Sequence, residues 1–172
     1  MARNVEIKAH IDSVESLASK TAAIASEGPV EIVQDDTFFV CESGRLKLRM
    51  FSDHDGELIF YRRPNRHGPK ESFYLRSRTS SPETLRESLS LAYGQAGRVR
   101  KHRTLFLVGR TRVHLDRVEG LGDFLELEVV LSEDESSEVG VREANELMGK
   151  LGVTPSQLIE HAYVDLLAQR DA

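Results

Sequence analysis

The 172-residue chain has a single cysteine, Cys41, which excludes an internal disulfide framework and any zinc site built on cysteines. Cys41 itself reads as an ordinary strand residue, with no neighbouring base or second thiol to activate it. No apolar run approaches the ~20 residues of a membrane-spanning helix. The first residues, through Val5 and Glu6, pass directly into polar and apolar alternation without the apolar stretch of a secretory signal. The expected compartment is therefore the cytoplasm, with no membrane partner. Internal repeats, low-complexity stretches and long linkers are also missing, so one domain spanning residues 1–172 is expected. An excess of positive charge is lacking too. The formal net charge is −5, which argues against general nucleic-acid binding. The distribution is uneven, however: basic residues concentrate between Arg45 and Arg112, and residues 126–146 are acidic. Sorting of this kind suggests a local anion site.

Alternation at 5–11 predicts a first strand, and the helical spacing of Val14, Leu17, Ala18, Thr21 and Ile24 predicts a helix from Ser13 to about Ala25. Segments 31–41 and 45–51 read as a hairpin across Glu42-Ser43-Gly44. A second pair, 57–63 and about 70–79, is interrupted by Pro64-Asn65-Arg66-His67-Gly68-Pro69. Ser81-Pro82 starts another helix, which ends near Gly94 or Gly97. Three more strands follow at 98–108, 111–118 and 123–131, giving about eight in all. Helices are predicted at about Ser137–Leu151 and from Thr154-Pro155 to about Leu167.

Side chains on a strand alternate between faces, so each strand separates into two rows. Glu6, Lys8 and His10 oppose Val5, Ile7, Ala9 and Ile11. Arg45, Lys47 and Arg49 oppose Leu46, Leu48 and Met50, and Tyr74, Arg76 and Arg78 oppose Phe73 and Leu75. Lys101 and Arg103 share a row, Arg112, His114 and Asp116 share another, and Glu126 and Glu128 oppose Leu125, Leu127 and Val129. A sheet with one solvated face would alternate in the same way. Such a face mixes its signs, whereas here bases repeat on several strands and carboxylates mark the first and last. Like charges on adjacent strands repel unless an anion neutralises them. If the sheet curls closed, the first and last strands become neighbours and Glu6 approaches Glu126 and Glu128 beside a basic wall. Carboxylates suit Mg²⁺ or Mn²⁺, and arginine and lysine suit phosphate oxygens. Helices would cover part of the apolar exterior.

Several phrases in these strands resemble the CYTH domain, shared by class IV adenylyl cyclases, thiamine triphosphatases and related triphosphate tunnel enzymes. Asn4-Val5-Glu6-Ile7-Lys8 is similar to its E-x-E-x-K signature, with asparagine in place of the first glutamate. Asp36-Thr37-Phe38-Phe39 and Gly44-Arg45-Leu46-Lys47-Leu48-Arg49 resemble its D-T-Y-F and L-R-x-R segments. Phe60-Tyr61-Arg62-Arg63-Pro64 is similar to Y-K-x-P, with Arg62 at the lysine, and Lys101-His102-Arg103 resembles K-x-R. Asp116, Leu121-Gly122-Asp123-Phe124 and Glu126-Leu127-Glu128 resemble the closing D…L-G-x-F-x-E-x-E signature, and Tyr163-Val164-Asp165-Leu166-Leu167 resembles Y-x-D-L-L.

The resemblance implies an α+β fold: a closed or nearly closed eight-stranded antiparallel β-barrel, the triphosphate tunnel, with flanking helices. It implies Glu6 and Lys8 as catalytic residues. For triphosphate binding it implies Lys8, Lys47, Arg49, Arg62, Arg76, Lys101, Arg103 and Arg112. Glu6, Asp116, Glu126 and Glu128 would hold Mg²⁺ or Mn²⁺, with Asp116 equally suited to a structural pair with an arginine. His10 and His114 read first as hydrogen-bonded strand histidines, and Arg63, Arg86 and Arg142 as surface ion pairs. The expected reaction is cyclisation of a nucleoside triphosphate with release of pyrophosphate. Hydrolysis of an organic or inorganic triphosphate, and a non-catalytic triphosphate sensor, are the alternatives. A homodimer stays open as an assembly.

Overall fold

The computed structural model describes residues 2–65 and 68–172, so Arg66 and His67 of the 64–69 connection lie outside the described residues. Eight strands follow one another as β1 (Ala2–His10), β2 (Glu27–Phe39), β3 (Arg45–Ser52), β4 (Asp55–Arg62), β5 (Lys70–Thr79), β6 (Gln95–Val108), β7 (Thr111–Val118) and β8 (Gly122–Val130). Helices α1 (Val14–Ile24), α2 (Pro82–Tyr93), α3 (Ser137–Lys150) and α4 (Tyr163–Asp171) punctuate and follow them. Among the described residues no helix is long and apolar enough to cross a membrane.

All neighbouring strands are antiparallel, and the sheet closes in the order β1-β5-β4-β3-β2-β6-β7-β8. The expected meeting of first and last strands is seen: Glu6 lies opposite Glu128, Ile7 opposite Leu127 and Lys8 opposite Glu126. Closure leaves one row of every strand inside and the other outside.

The apolar core therefore lies outside the barrel wall. Val5, Ile7 and Ala9 of β1, Val113 and Leu115 of β7, and Leu125, Leu127 and Val129 of β8 pack against Val14 and Leu17 of α1 and Ala144, Leu147 and Met148 of α3. Full burial of each aliphatic side chain stabilises the fold by roughly 1.5–3 kcal/mol, which is why the polar bore depends on these two helices. Their ends are set locally. The Ser13 hydroxyl accepts from Ser16 N at 3.1 Å, Pro82 opens α2, and Gly94, at φ 83°, ends it with its N–H on Ser90 O.

The last segment differs from expectation. Pro155–Gln157 form a single 3₁₀ turn, Leu158 then bridges to Ala9 in extended conformation, and α4 starts only at Tyr163. The Ile159 N–H donates to Lys8 O at 2.9 Å, so this stretch satisfies its backbone on the end of β1 instead of in a helix. β2 and β6 also begin earlier than expected, at Glu27 and Gln95, because they pair with each other across their whole lengths through two register shifts. Cys41 lies in the β2–β3 connection and not on a strand.

Gly140 marks the closest approach of α3 to the barrel. A Cβ there would stand 2.7 Å from Val5 Cγ2 and 2.9 Å from Leu131 Cδ2. Alanine gains about 1 kcal/mol of helix propensity over glycine, but overpacking a tight contact costs typically about 1–3 kcal/mol. Gly140→Ala is expected to lower stability by ~1 kcal/mol in urea titrations; an equal or raised midpoint would show that α3 can withdraw without loss.

Candidate functional site

The bore contains a cavity of about 260 Å³, and its wall is the set of inward rows. Asn4, Glu6 and Lys8 come from β1, Lys47 and Arg49 from β3, Lys101 and Arg103 from β6, Arg112 and His114 from β7, and Glu126 and Glu128 from β8. Arg76 lines it from β5 as an exposed side chain. Arg62 does not line it. The residue has the parity of Leu58 and Phe60 and faces outward, where its Nε donates to Ser43 O at 2.7 Å. Its neighbour Arg63, which reads in the sequence as a surface ion pair, lines the cavity and donates to Glu6 Oε1 at 2.7 Å. Row parity with Ile59 and Tyr61 was the signal for it.

Two buried aspartates neutralise much of the basic wall. Asp36, 1% exposed, accepts from Arg49 Nε and Nη2 at 2.8 Å each and from Lys47 Nζ at 3.0 Å, with Lys101 Nζ at 3.7 Å. Burial raises its carboxyl, yet these three cations outweigh burial and hold it well below the usual carboxylate range. Asp116 accepts both guanidinium bonds of Arg103 at 2.8 Å and the Tyr163 hydroxyl at 2.8 Å. Its pKa falls to about 2, because Arg103 overcomes the opposing effect of burial. The oxygens of Asp116 are committed to Arg103 and Tyr163, and the residue is not in the metal-capable group described below. The bases bear the complementary cost. Burial, then Arg49, pushes Lys47 down to about 8 in spite of Asp36, and burial with Arg103 drives Lys101 well below its ordinary value.

One end of the bore is packed by α4. The Tyr163 ring lies beneath Lys8 Nζ, 3.7 Å from ring centroid to nitrogen, and Lys101 Nζ is 5.2 Å away. Arg45, at the start of β3, holds Asp165 of α4 at 2.6 Å and 2.7 Å. Phe51 and Tyr74 line the cavity from the other direction, with Phe51 roughly 20 Å along β3 from Arg45. Arg112 reaches from the same side to Glu128 Oε2 at 2.7 Å, and its Nη2 lies 3.5 Å from the Tyr74 hydroxyl.

His114, Glu126 and Glu128 place one donor atom each within 4.8 Å of one another, which makes them a group able to hold a divalent cation. Two orphaned atoms adjoin it: His114 Nδ1 and Asn4 Oδ1 are buried with no hydrogen-bond partner among the described residues. The chemistry of the donors thus fits a metal ion. Burial raises Glu126 and Glu128, but Lys8, His114 and Arg103 bring Glu126 well below its usual range, and His114 with Arg112 brings Glu128 to about 2. Glu6 is not in this group. Burial and the Glu126 charge raise its pKa against the pull of Arg63.

The CYTH domain profile matches residues 2–163. The chain belongs to the CYTH family. Adenylate cyclase CyaB of Aeromonas hydrophila is 26% identical over 174 residues, covering 96% of this chain and 88% of that protein. The PH1012 protein of Pyrococcus horikoshii OT3 superposes with a TM-score of 0.85 at 22% identity, covering 95% of this chain and 98% of that one. A conserved protein of Pyrococcus furiosus gives 0.84 at 23%, covering 95% and 99%. The closed eight-stranded barrel is thus the CYTH fold, and the inward charges occupy its bore.

Replacing Asp116 in this CYTH barrel tests the internal counter-ion. The folded pKa lies below the ordinary 3.8, so the stabilisation is complete above about pH 4 and is lost as pH falls toward 2. Asp116→Asn leaves Arg103 buried with Glu126, 3.9 Å away, as its remaining carboxylate partner, which should cost up to about 3–5 kcal/mol at pH 7 and flatten that part of the acid limb. Urea unfolding at pH 7, 4 and 2.5 measures both effects, and a variant as stable as the parent at pH 7 would remove Asp116 from this role.

Proposed function

We propose that the bore takes a nucleoside triphosphate and cyclises it, with the 3′ oxygen forming a bond to the α-phosphorus as pyrophosphate departs. The observation that carries this reading is the convergence, inside one closed barrel, of a basic wall and a carboxylate-imidazole corner. Arginine and lysine at Lys8, Lys47, Arg49, Arg63, Lys101, Arg103 and Arg112 supply donors for phosphoryl oxygens, with Arg76 further out. Several of them already face Asp36 or Asp116, so a polyphosphate competes with built-in partners and need not neutralise the whole wall. The cavity of about 260 Å³ is near the lower end of ligand pockets, roughly 300–1,000 Å³, which suits a phosphate chain inside and the organic group toward Phe51 and Tyr74. Aromatic faces there offer a base a surface to stack on.

A divalent cation held by His114, Glu126 and Glu128 would neutralise phosphate charge and orient the leaving group. We assign Glu6 and Lys8 to the reacting centre. Their strand neighbours across the closure are Glu128 and Glu126, so both face the same corner. Positioning and charge neutralisation supply most of the catalysis. We favour cyclisation over hydrolysis, a reading supported by the name of the Aeromonas relative, which aligns over nearly the whole chain.

Incubation with ATP, inorganic triphosphate or thiamine triphosphate plus Mg²⁺ or Mn²⁺, followed by chromatography, decides among the readings. Cyclic nucleotide with pyrophosphate is the expected result. Orthophosphate without cyclic nucleotide would overturn cyclisation in favour of hydrolysis, and tight binding with no product would favour a sensor. A second expectation concerns pH. Binding a polyanion favours protonated Lys47, whose free pKa is about 8, so tripolyphosphate affinity should fall as pH rises through 8. Lys47→Arg should reduce that slope in calorimetric titrations from pH 7 to 9.5; an unchanged slope would place the titration elsewhere.

A further inference from the structure

The carboxylates at the closure are divided between two tasks. Glu128 Oε2 receives Arg112 Nη2 at 2.7 Å and Asn4 Nδ2 at 3.0 Å, and Glu126 Oε2 faces Lys8 Nζ at 3.5 Å and Arg103 Nη2 at 3.9 Å. The other oxygens turn to the imidazole: His114 Nδ1 lies 3.2 Å from Glu128 Oε1 and 3.9 Å from Glu126 Oε1. Among the described residues that nitrogen makes no hydrogen bond of good geometry, its nearest acceptor being Glu128 Oε1, although His114 is 5% exposed. Leaving a buried imidazole nitrogen unsatisfied costs about 1–3 kcal/mol unless something else binds it. Around a cation with ligands at about 2.1 Å, neighbouring donors stand roughly 3.0 Å apart and opposed donors roughly 4.2 Å apart. Both observed separations fall in that interval.

The same corner holds an amide where a carboxylate would add charge. Asn4, 3% exposed, spends its Nδ2 on Glu128 and leaves Oδ1 buried without a partner among the described residues. Its amide therefore positions Glu128 and contributes no negative charge, and the three donors of the group carry two.

We propose that His114 Nδ1, Glu126 Oε1 and Glu128 Oε1 form a mixed imidazole-carboxylate cation site that selects first-row transition ions such as Mn²⁺ or Zn²⁺ over Mg²⁺. This deepens the metal-triphosphate reading and rests on it. Nitrogen in the coordination shell is the physical basis of the selection, because Mg²⁺ keeps oxygen ligands and water whereas transition ions accept imidazole. Asn4 acts as a positioning residue through Glu128.

The test uses Mn²⁺ alone, with no turnover. Electron paramagnetic resonance of Mn²⁺ bound to the whole protein should show nitrogen-14 hyperfine coupling, and His114→Gln should abolish it while His10→Gln keeps it. Calorimetry should show Mn²⁺ affinity falling by about tenfold or more in His114→Gln, and Mg²⁺ affinity changing by less than about threefold. Thermal melts of the metal-free proteins identify a variant that fails to fold, in which case the wild-type nitrogen coupling and the Mn²⁺ to Mg²⁺ ratio carry the test. Mn²⁺ bound without nitrogen coupling overturns the mixed site and leaves the metal-dependent reaction standing. Coupling that persists in His114→Gln also overturns it. No Mn²⁺ binding, with or without tripolyphosphate, overturns both.

Discussion

Pairing of β1 with β8 is the contact on which the rest of this molecule depends. An open eight-stranded sheet with these rows would leave its bases and carboxylates in water, where unit charges 4 Å apart interact by only about 1 kcal/mol. Closure puts Glu6 opposite Glu128 and Lys8 opposite Glu126, and removes most of that face from bulk solvent. The effective dielectric falls, so each charge needs a counter-charge within a few ångströms. The outer rows face the opposite problem and solve it with α1 and α3, whose aliphatic side chains cover β1, β7 and β8. Barrel closure and helix packing are thus two consequences of one alternation along the strands.

Charge inside the bore is balanced in two different ways. Asp36 and Asp116 bind bases so fully that they serve the protein itself: three cations surround the first, and the second has Arg103 and Tyr163. Glu126 and Glu128 are only half committed, each with one oxygen on the basic side and one turned toward His114. Preorganised groups of this second kind cost stability in the empty protein and are suited to a ligand that completes them. The α4 segment links both. Tyr163 donates to Asp116 and lies under Lys8, while Arg45 and Asp165 fix the helix against the start of β3.

Strand number, the charged rows and the covering helices were legible in the sequence, because a period of two sorts residues onto faces and a period of 3.6 marks amphipathic helices. The same parity separates Arg62 from Arg63. Motif likeness at Phe60-Tyr61-Arg62-Arg63 pointed to the first, whereas the second shares the row of Ile59 and Tyr61 and reaches Glu6. Asp36 stood in a recognisable phrase without a visible role, since Ile32 and Phe38 share its inward row and hide the charge alternation of β2.

Sequence by itself determined which face each strand residue occupies and that carboxylates bracket a run of bases, since alternation is a local property of the backbone. Which carboxylates are internal counter-ions and which stay open was decided only by tertiary structure. Asp116 and His114 share a row on β7, yet one meets Arg103 and the other meets Glu126 and Glu128. The partner of each depends on cross-strand register and on the placement of α4, and these are set by contacts between residues far apart in the chain.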